Sequence, residues 1–273
     1  MKWIFTIALL LCSGCIVDDF NDMGEGFIPT SPRDAALMAV DQYNPDHRRQ
    51  GITLLANSNF GGAPEYLAMY RDYVEEDRDP LVRAAAIKAL ARFGSGDDAK
   101  LIVMSLSRTN TDSTQVRRAA AIALQRLHNR AVVPILLRSL RDPDEENQVR
   151  AAVATALGQY PENQVFVGLI AALQANDLAI NKAASESLCI LTGQVFGTDW
   201  DAWYEWGQRV VDTNSALFAA KSEFQYPTYR YESRWWDSIV FWDNKINERP
   251  DVPAGLKEQT RKTTYDDETD PSK

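Results

Sequence analysis

The amino-acid sequence predicts an all-α solenoid of stacked helix pairs, closed at its C-terminal end by a Trp-rich helical cap. Three observations carry this expectation. The segment Val82 to Leu90 (VRAAAIKAL) recurs as Val116 to Leu124 and as Val149 to Leu157, and self-similarity at a period of roughly 20–50 residues marks a repeat array. Between the copies lie segments with apolar residues at helical spacing. No stretch alternates in the manner of a half-buried strand.

In chain order, Met1-Lys2 supplies a short positive region and Trp3 to Leu11 a nine-residue apolar run, with small Ser13-Gly14 before Cys15. Residues 1–14 therefore read as a cleaved export signal, since so short an apolar run cannot span a bilayer as a helix. Leu11-Cys12-Ser13-Gly14-Cys15 is similar to a bacterial lipobox, with Cys12 where a Leu is usual. That resemblance implies lipidation of Cys15 and an exported protein anchored in the cell envelope, on the periplasmic face of the inner or outer membrane. An ordinary signal peptide followed by a chance Cys is the alternative. Residues 15–30, with Asp18, Asp19, Asp22, Gly24, Glu25 and Gly26, read as the lipidated Cys and a flexible tether.

Residues 31–211 form the expected solenoid. With the Arg of each copy as origin, the origins are Arg48, Arg83, Arg117, Arg150 and, in a weakened copy, Asn181, at spacings of 35, 34, 33 and 31 residues. Six and seven residues after each stand Leu54-Leu55, Ala89-Leu90, Ala123-Leu124, Ala156-Leu157 and Ser187-Leu188, which with the preceding Val complete one apolar helix face. Four residues before each stand Asn44, Asp79, Ser113, Glu146 and Asp177. All are polar, and most are residues that cap a helix N-terminus; Pro80 suits the first helical position. The partner helices are expected over Tyr66 to Val74, Leu101 to Leu106, Val132 to Leu140 and Val165 to Leu173. Residues 212–246 read as an aromatic extension and 247–273 as a disordered tail.

The run Asp79-Pro80-Leu81-Val82-Arg83 through Leu90 resembles the signature of HEAT repeats, above all the short HEAT-like kind of the phycobilisome lyases. The resemblance covers about residues 45–210 and implies an α-solenoid whose common use is protein–protein interaction. It departs at both ends, with His47 at the Val position and Asn181 for Arg; atypical terminal copies are expected in such arrays.

The chain holds 29 Lys and Arg against 38 Asp and Glu, a net charge of −9, which opposes general nucleic-acid binding and broad adhesion to anionic lipid. Cys189, beside Leu188, Ile190 and Leu191, reads as a buried structural thiol. His47 and His128 belong to no metal-binding spacing. His47-Arg48 and His128-Asn129 also lack the His-Glu pairs of HEAT-repeat iron hydroxylases. No nucleophile elbow, Walker loop or dinucleotide fingerprint occurs. Glu75-Glu76-Asp77, Asp97-Asp98 and Glu145-Glu146 fall in turns or beside helix ends and are expected as solvated turn and capping charges, because acid–base work needs a closed site that separates two pKa values. No catalytic residue, metal or cofactor is expected.

Two features could carry a function. One is the Arg series: Arg83, Arg117 and Arg150, with Arg92 and Arg126 nine positions after the first two. The origin residues are expected to bond turn groups and tie successive repeats together, leaving Arg92 and Arg126 as candidates for a partner. The other is aromatic clustering, since six of the seven Trp lie in residues 200–242. Trp200, Trp203 and Trp206 mark one side of a helix; Trp235, Trp236 and Trp242 follow. They read either as a cap over the last repeat or as a binding platform. The stretch from Leu191-Thr192-Gly193 to Trp200 is similar to the ending of many bacterial HEAT-repeat proteins, where a Trp-bearing helix closes the array. Repeats, anchor and missing chemistry together lead to the expectation of a membrane-anchored, non-enzymatic scaffold for an unidentified protein partner. A chromophore-lyase-like modifying enzyme and a cell-wall glycan binder using the Trp-rich end are the alternatives.

Overall fold

A computed structural model describes residues 31–212, 228–231 and 248–251. Eleven α-helices occupy the first span: α1 (Pro32–Ala39), α2 (Pro45–Asn57), α3 (Pro64–Glu76), α4 (Pro80–Phe93), α5 (Asp98–Met104), α6 (Thr114–Ala123), α7 (Val133–Arg141), α8 (Asn147–Leu157), α9 (Asn163–Ala172), α10 (Leu178–Thr192) and α11 (Trp200–Asp212). A single 3-10 turn, Arg130–Val132, leads into α7. Outside the array, Thr228–Tyr231 pairs antiparallel with Glu248–Asp251; the sequence reading contained neither strand.

The five polar residues four positions before the origins are the N-cap residues of α2, α4, α6, α8 and α10. Asn44, Asp79 and Asp177 each accept two backbone N–H bonds in the first turn, satisfying donors that a helix cannot satisfy itself. Ser113 and Glu146 hold the position without a side-chain cap. At its far end α10 stops at Gly193, whose φ of 70° is the left-handed conformation that glycine tolerates.

The origin helices α2, α4, α6, α8 and α10 pack side by side in sequence, and each packs against the helix preceding it in the chain: α1, α3, α5, α7 and α9. The apolar faces of the two rows meet in one continuous core that runs from Ala35 to Trp203. Ile52 and Leu55, Ala89 and Leu90, Ala123 and Leu124, Ala156 and Leu157, and Leu188 are all buried there. The first pair packs closely, because Gly51 lets α2 approach α1 to where a Cβ would lie 2.2 Å from the Ala39 backbone nitrogen. Each unit can bury its apolar face only against its neighbours, so the stack, not the single pair, is the folding unit. No helix among the described residues is long and apolar enough to cross a membrane.

A candidate docking groove

The origin arginines point into the junctions between repeats. Arg48 makes two bonds to the Asp77 carboxylate, at 2.8 and 3.1 Å, across 29 residues. Arg83 donates to the Thr111 hydroxyl at 3.1 Å across 28 residues. Arg117 reaches Glu145, also 28 residues on, at 2.9 and 3.1 Å and adds bonds to the Thr111 and Asp112 carbonyls. In each case the Arg of one repeat grips the turn that precedes the next origin helix. Arg150 departs from the pattern and bonds the Leu140 carbonyl within its own repeat at 3.1 Å. There the reach to the next turn falls to Asn147, which donates to Asp177 at 3.0 Å.

These pairings correct one expectation. Asp77, Asp98 and Glu145 are not solvated turn charges: their side chains are 5%, 5% and 2% exposed, each facing an Arg. Asp98 accepts from Arg71 at 2.6 and 3.2 Å and from the Ser95 backbone N–H at 2.8 Å. Burial alone pushes the Asp98 carboxyl up, but the Arg71 and Ser95 bonds outweigh it and hold the group below the usual carboxylate range. Such charge-assisted, two-pronged bonds fix geometry as well as adding energy. The acidic clusters thus serve as junction acceptors, and a burial of partnered charge repeated along the chain leaves no signal in local sequence.

Arg92 and Arg126 lie elsewhere. Positions one, five and nine after an origin advance in steps of four and so share one helix face. On α2 that face carries Arg49, Thr53 and Asn57; on α4 it carries Ala84, Lys88 and Arg92; on α6 it carries Arg118 and Ile122, with Arg126 in the turn just past the end of the helix. All nine side chains line one groove of about 960 Å³ that crosses the origin row and ends near Gln148 at the start of α8. Five cations line it, and no Asp or Glu does. The next equivalent positions are Ala151 and Thr155 on α8 and Gln159 just beyond its end, and on α10 Lys182 sits 3.9 Å from Glu186. The basic stripe is therefore confined to three successive helices.

The cations are held differently, and neither Arg92 nor Arg126 is without a partner. Arg92 donates to the Ala56 carbonyl at 2.9 Å, in the last turn of α2, and its guanidinium stacks 5.1 Å from the Phe93 ring centre. It both lines the groove and ties two repeats. Arg49 pairs with Asp46 at 2.9 Å on open surface. Lys88 and Arg118 are exposed and make no hydrogen bond or ion pair within the described residues. The sequence reading singled out Arg92 and Arg126 of the groove's lining but not Arg49, Lys88 and Arg118; the available signal was the four-residue step along each origin helix.

The described aromatic residues at the C-terminal end close the stack. Trp203 is fully buried, donates its indole N–H to the Gly197 carbonyl at 2.8 Å and meets Phe196 edge-on at 4.9 Å. Trp206 packs edge-on against Phe166 of α9 at 5.8 Å. Trp200 lies nearer the surface, stacked on Tyr204 at 5.2 Å. Trp235, Trp236, Trp242 and Cys15 lie outside the described residues. Cys189 is half-buried, and burial raises its thiol above the ordinary range, which opposes a nucleophilic role. His128 is buried and stacked on Tyr160 at 4.8 Å. Among the described residues no three His, Cys, Asp or Glu side chains gather as a metal site.

Protein YibA of Escherichia coli strain K12 is 29% identical over 92 residues, 33% of this chain and 33% of that protein. The protein of the same name from Escherichia coli O157:H7 matches to the same extent, so the chain spans about a third of the length of these curated relatives. The X-ray structure of YibA from Escherichia coli superposes with a TM-score of 0.48 at 22% identity, covering 67% of this chain and 62% of that one. Human deoxyhypusine hydroxylase in complex with glycerol gives a TM-score of 0.29 at 13% identity, covering 59% and 85%. Likenesses at this level carry no argument about activity. The family model for HEAT repeats matches residues 34–115 and 103–189, which together take in most of the helical array, and the chain belongs to the HEAT-repeat family.

Proposed function

We propose that this protein is a non-enzymatic scaffold that seats a protein partner in the basic groove across α2, α4 and α6, and that it is itself held at a bacterial envelope membrane by lipidation of Cys15. The observation that carries the groove assignment is its charge: in a chain with 38 acidic and 29 basic residues, five cations and no carboxylate share one concave surface. Like charges lining a groove raise the local potential and favour a partner of opposite sign. Solenoids present such extended surfaces for binding. The Trp-rich end is the weaker candidate, because Trp203 and Trp206 are engaged in closing the stack.

The anchor half of the proposal rests on Leu11-Cys12-Ser13-Gly14-Cys15. Its test is Cys15→Ala, which should abolish incorporation of labelled fatty acid and move the protein out of the membrane fraction; unchanged labelling and fractionation would remove the anchor. The scaffold half is tested by affinity capture of the tagged protein after mild crosslinking in cells, beside a Lys88→Glu, Arg118→Glu double variant. A protein captured by the parent and lost from the double variant supports the reading. One captured equally by both places the interaction elsewhere on the molecule.

A further inference from the structure

An acidic helix stands on the face of the molecule opposite the groove, and its fit to the groove rests on the reading of the groove as a docking site. Four carboxylates of α3, Glu65, Asp72, Glu75 and Glu76, are exposed, and none makes a hydrogen bond or ion pair within the described residues. The one cation of α3, Arg71, is turned aside to Asp98 of α5, and the Tyr73 hydroxyl reaches back to the Ala39 carbonyl of α1. Tyr70 and Val74 enter the core. With those three directions taken, Glu65, Asp72 and Glu76, seven and four residues apart, share the remaining side, which faces solvent. No other helix shows more than two exposed carboxylates among the described side chains.

The fold gains nothing from this arrangement. Asp72 and Glu76 stand one turn apart as like charges, which destabilises a helix. Glu75 and Glu76 occupy the last turn, where the helix dipole disfavours an acid and where α3 has no basic residue. Cations brought from outside would relieve both. The groove offers them, with five cations and no Asp or Glu over a floor that includes the small side chains of Ala84, Ala85 and Ala119. Within one molecule α3 cannot reach it, because the acidic side of α3 faces away from the core on the row of preceding helices, whereas the groove crosses the origin row.

We infer that the occupant of the groove is α3 of a second copy of this chain, its acidic side set against Lys88 and Arg118. The two surfaces are different patches, so the contact is heterologous and each joined copy keeps one open groove and one open α3. Copies therefore add in a row unless the rotation between them closes a ring.

The test immobilises the tagged full chain, passes the untagged full chain over it in non-ionic detergent, and reads binding by surface plasmon resonance. The parent is expected to bind itself and to lose that binding in about 1 M salt, where exposed charges are screened within about 3 Å. The Lys88→Glu, Arg118→Glu variant passed over itself, and the Asp72→Lys, Glu76→Lys variant passed over itself, should each bind on the order of tenfold more weakly. Passed over one another, the two variants should bind as tightly as the parent, because one keeps the acidic helix and the other the basic groove. That recovery shows both to be folded. Asp201→Lys, Glu205→Lys, the same charge change made on α11, should bind itself as the parent does. Absence of self-binding by the parent, parental affinity in either same-variant pair, no recovery in the mixed pair, or an equal loss from the α11 variant would overturn the inference.

The scaffold reading fails separately from this one. If the copies ignore one another but the protein captured in cells is still lost from the Lys88→Glu, Arg118→Glu variant, the groove takes a different partner and only this inference falls. If the copies pair as expected and capture yields no other protein, self-association stands and the scaffold reading falls.

Discussion

Arg117 and Glu145 have side chains 6% and 2% exposed and lie 2.9 Å apart, locking α6 to the turn before α8. Removing one member of a buried pair leaves the other charge without compensation, at a cost of about 3–5 kcal/mol. Arg117→Ala should lose stability of that order in chemical denaturation. Arg150→Ala, which breaks a bond to a single carbonyl, should lose about 1 kcal/mol. Equal losses would show that the origin arginines matter through packing and not through their partners. A contrasting case is Tyr70, fully buried with its hydroxyl unbonded among the described residues. Burial pushes that hydroxyl's pKa well above its ordinary value. Since an unsatisfied buried hydroxyl costs free energy that Phe does not, Tyr70→Phe should raise stability by about 1 kcal/mol; a loss would reveal a hidden partner.

The charge on Asp98 gives stability a pH signature. Its carboxyl is depressed in the folded protein, so the contribution is fully present above the unfolded value of about 3.9 and is lost as pH falls through the lower folded value. Asp98→Asn should therefore be destabilised at neutral pH, with the gap to the parent narrowing below about pH 4. A gap that persists unchanged at acid pH would mean that the carboxylate is not the source.

Elements differ in how plainly the sequence announces them. Origin helices were legible to the residue, because N-cap, Val, Arg and Ala-Leu recur together and each has its own local physics. Asp79 illustrates this: it caps α4 through the Leu81 and Val82 N–H groups, and Asp79→Ala should cost about 1 kcal/mol. The groove stripe was half-legible. Its positions are Arg49, Ala84 and Arg118 in one rank and Thr53, Lys88 and Ile122 in the next, so no residue type is kept through a rank to draw attention, although the helical step is fixed. The junction acceptors were illegible as such, since Asp77, Asp98 and Glu145 gain their role from Arg residues 27 to 29 positions upstream. At the last element, Trp203 gives α11 its fully buried anchor. Trp203→Ala should cost about 3–5 kcal/mol and strip amide-exchange protection from α11 and α9, while partner capture through the α2–α6 groove, on separate repeats, is retained. Loss of groove binding as well would mean that the cap and groove fold as one unit.

At the scale of the whole molecule, the stack is a chain of nearest-neighbour contacts in which each repeat supports only the next. One side of that chain is held by buried Arg–carboxylate junctions, and the other presents five cations, of which Lys88 and Arg118 are exposed and bond no described residue, while Arg92 ties two repeats. A surface kept basic on an acidic molecule, in a family whose architecture is extended and concave, is the reason for reading the groove as the working face. Site-specific photocrosslinking in cells tests that claim most directly, with the reactive group placed at Gln115 in the groove and, separately, at exposed Lys100 of α5 outside it. The account predicts a discrete protein adduct from Gln115 that disappears with Lys88→Glu and Arg118→Glu, and none from Lys100. An adduct from Lys100 alone, or one from Gln115 indifferent to the charge reversals, would contradict it.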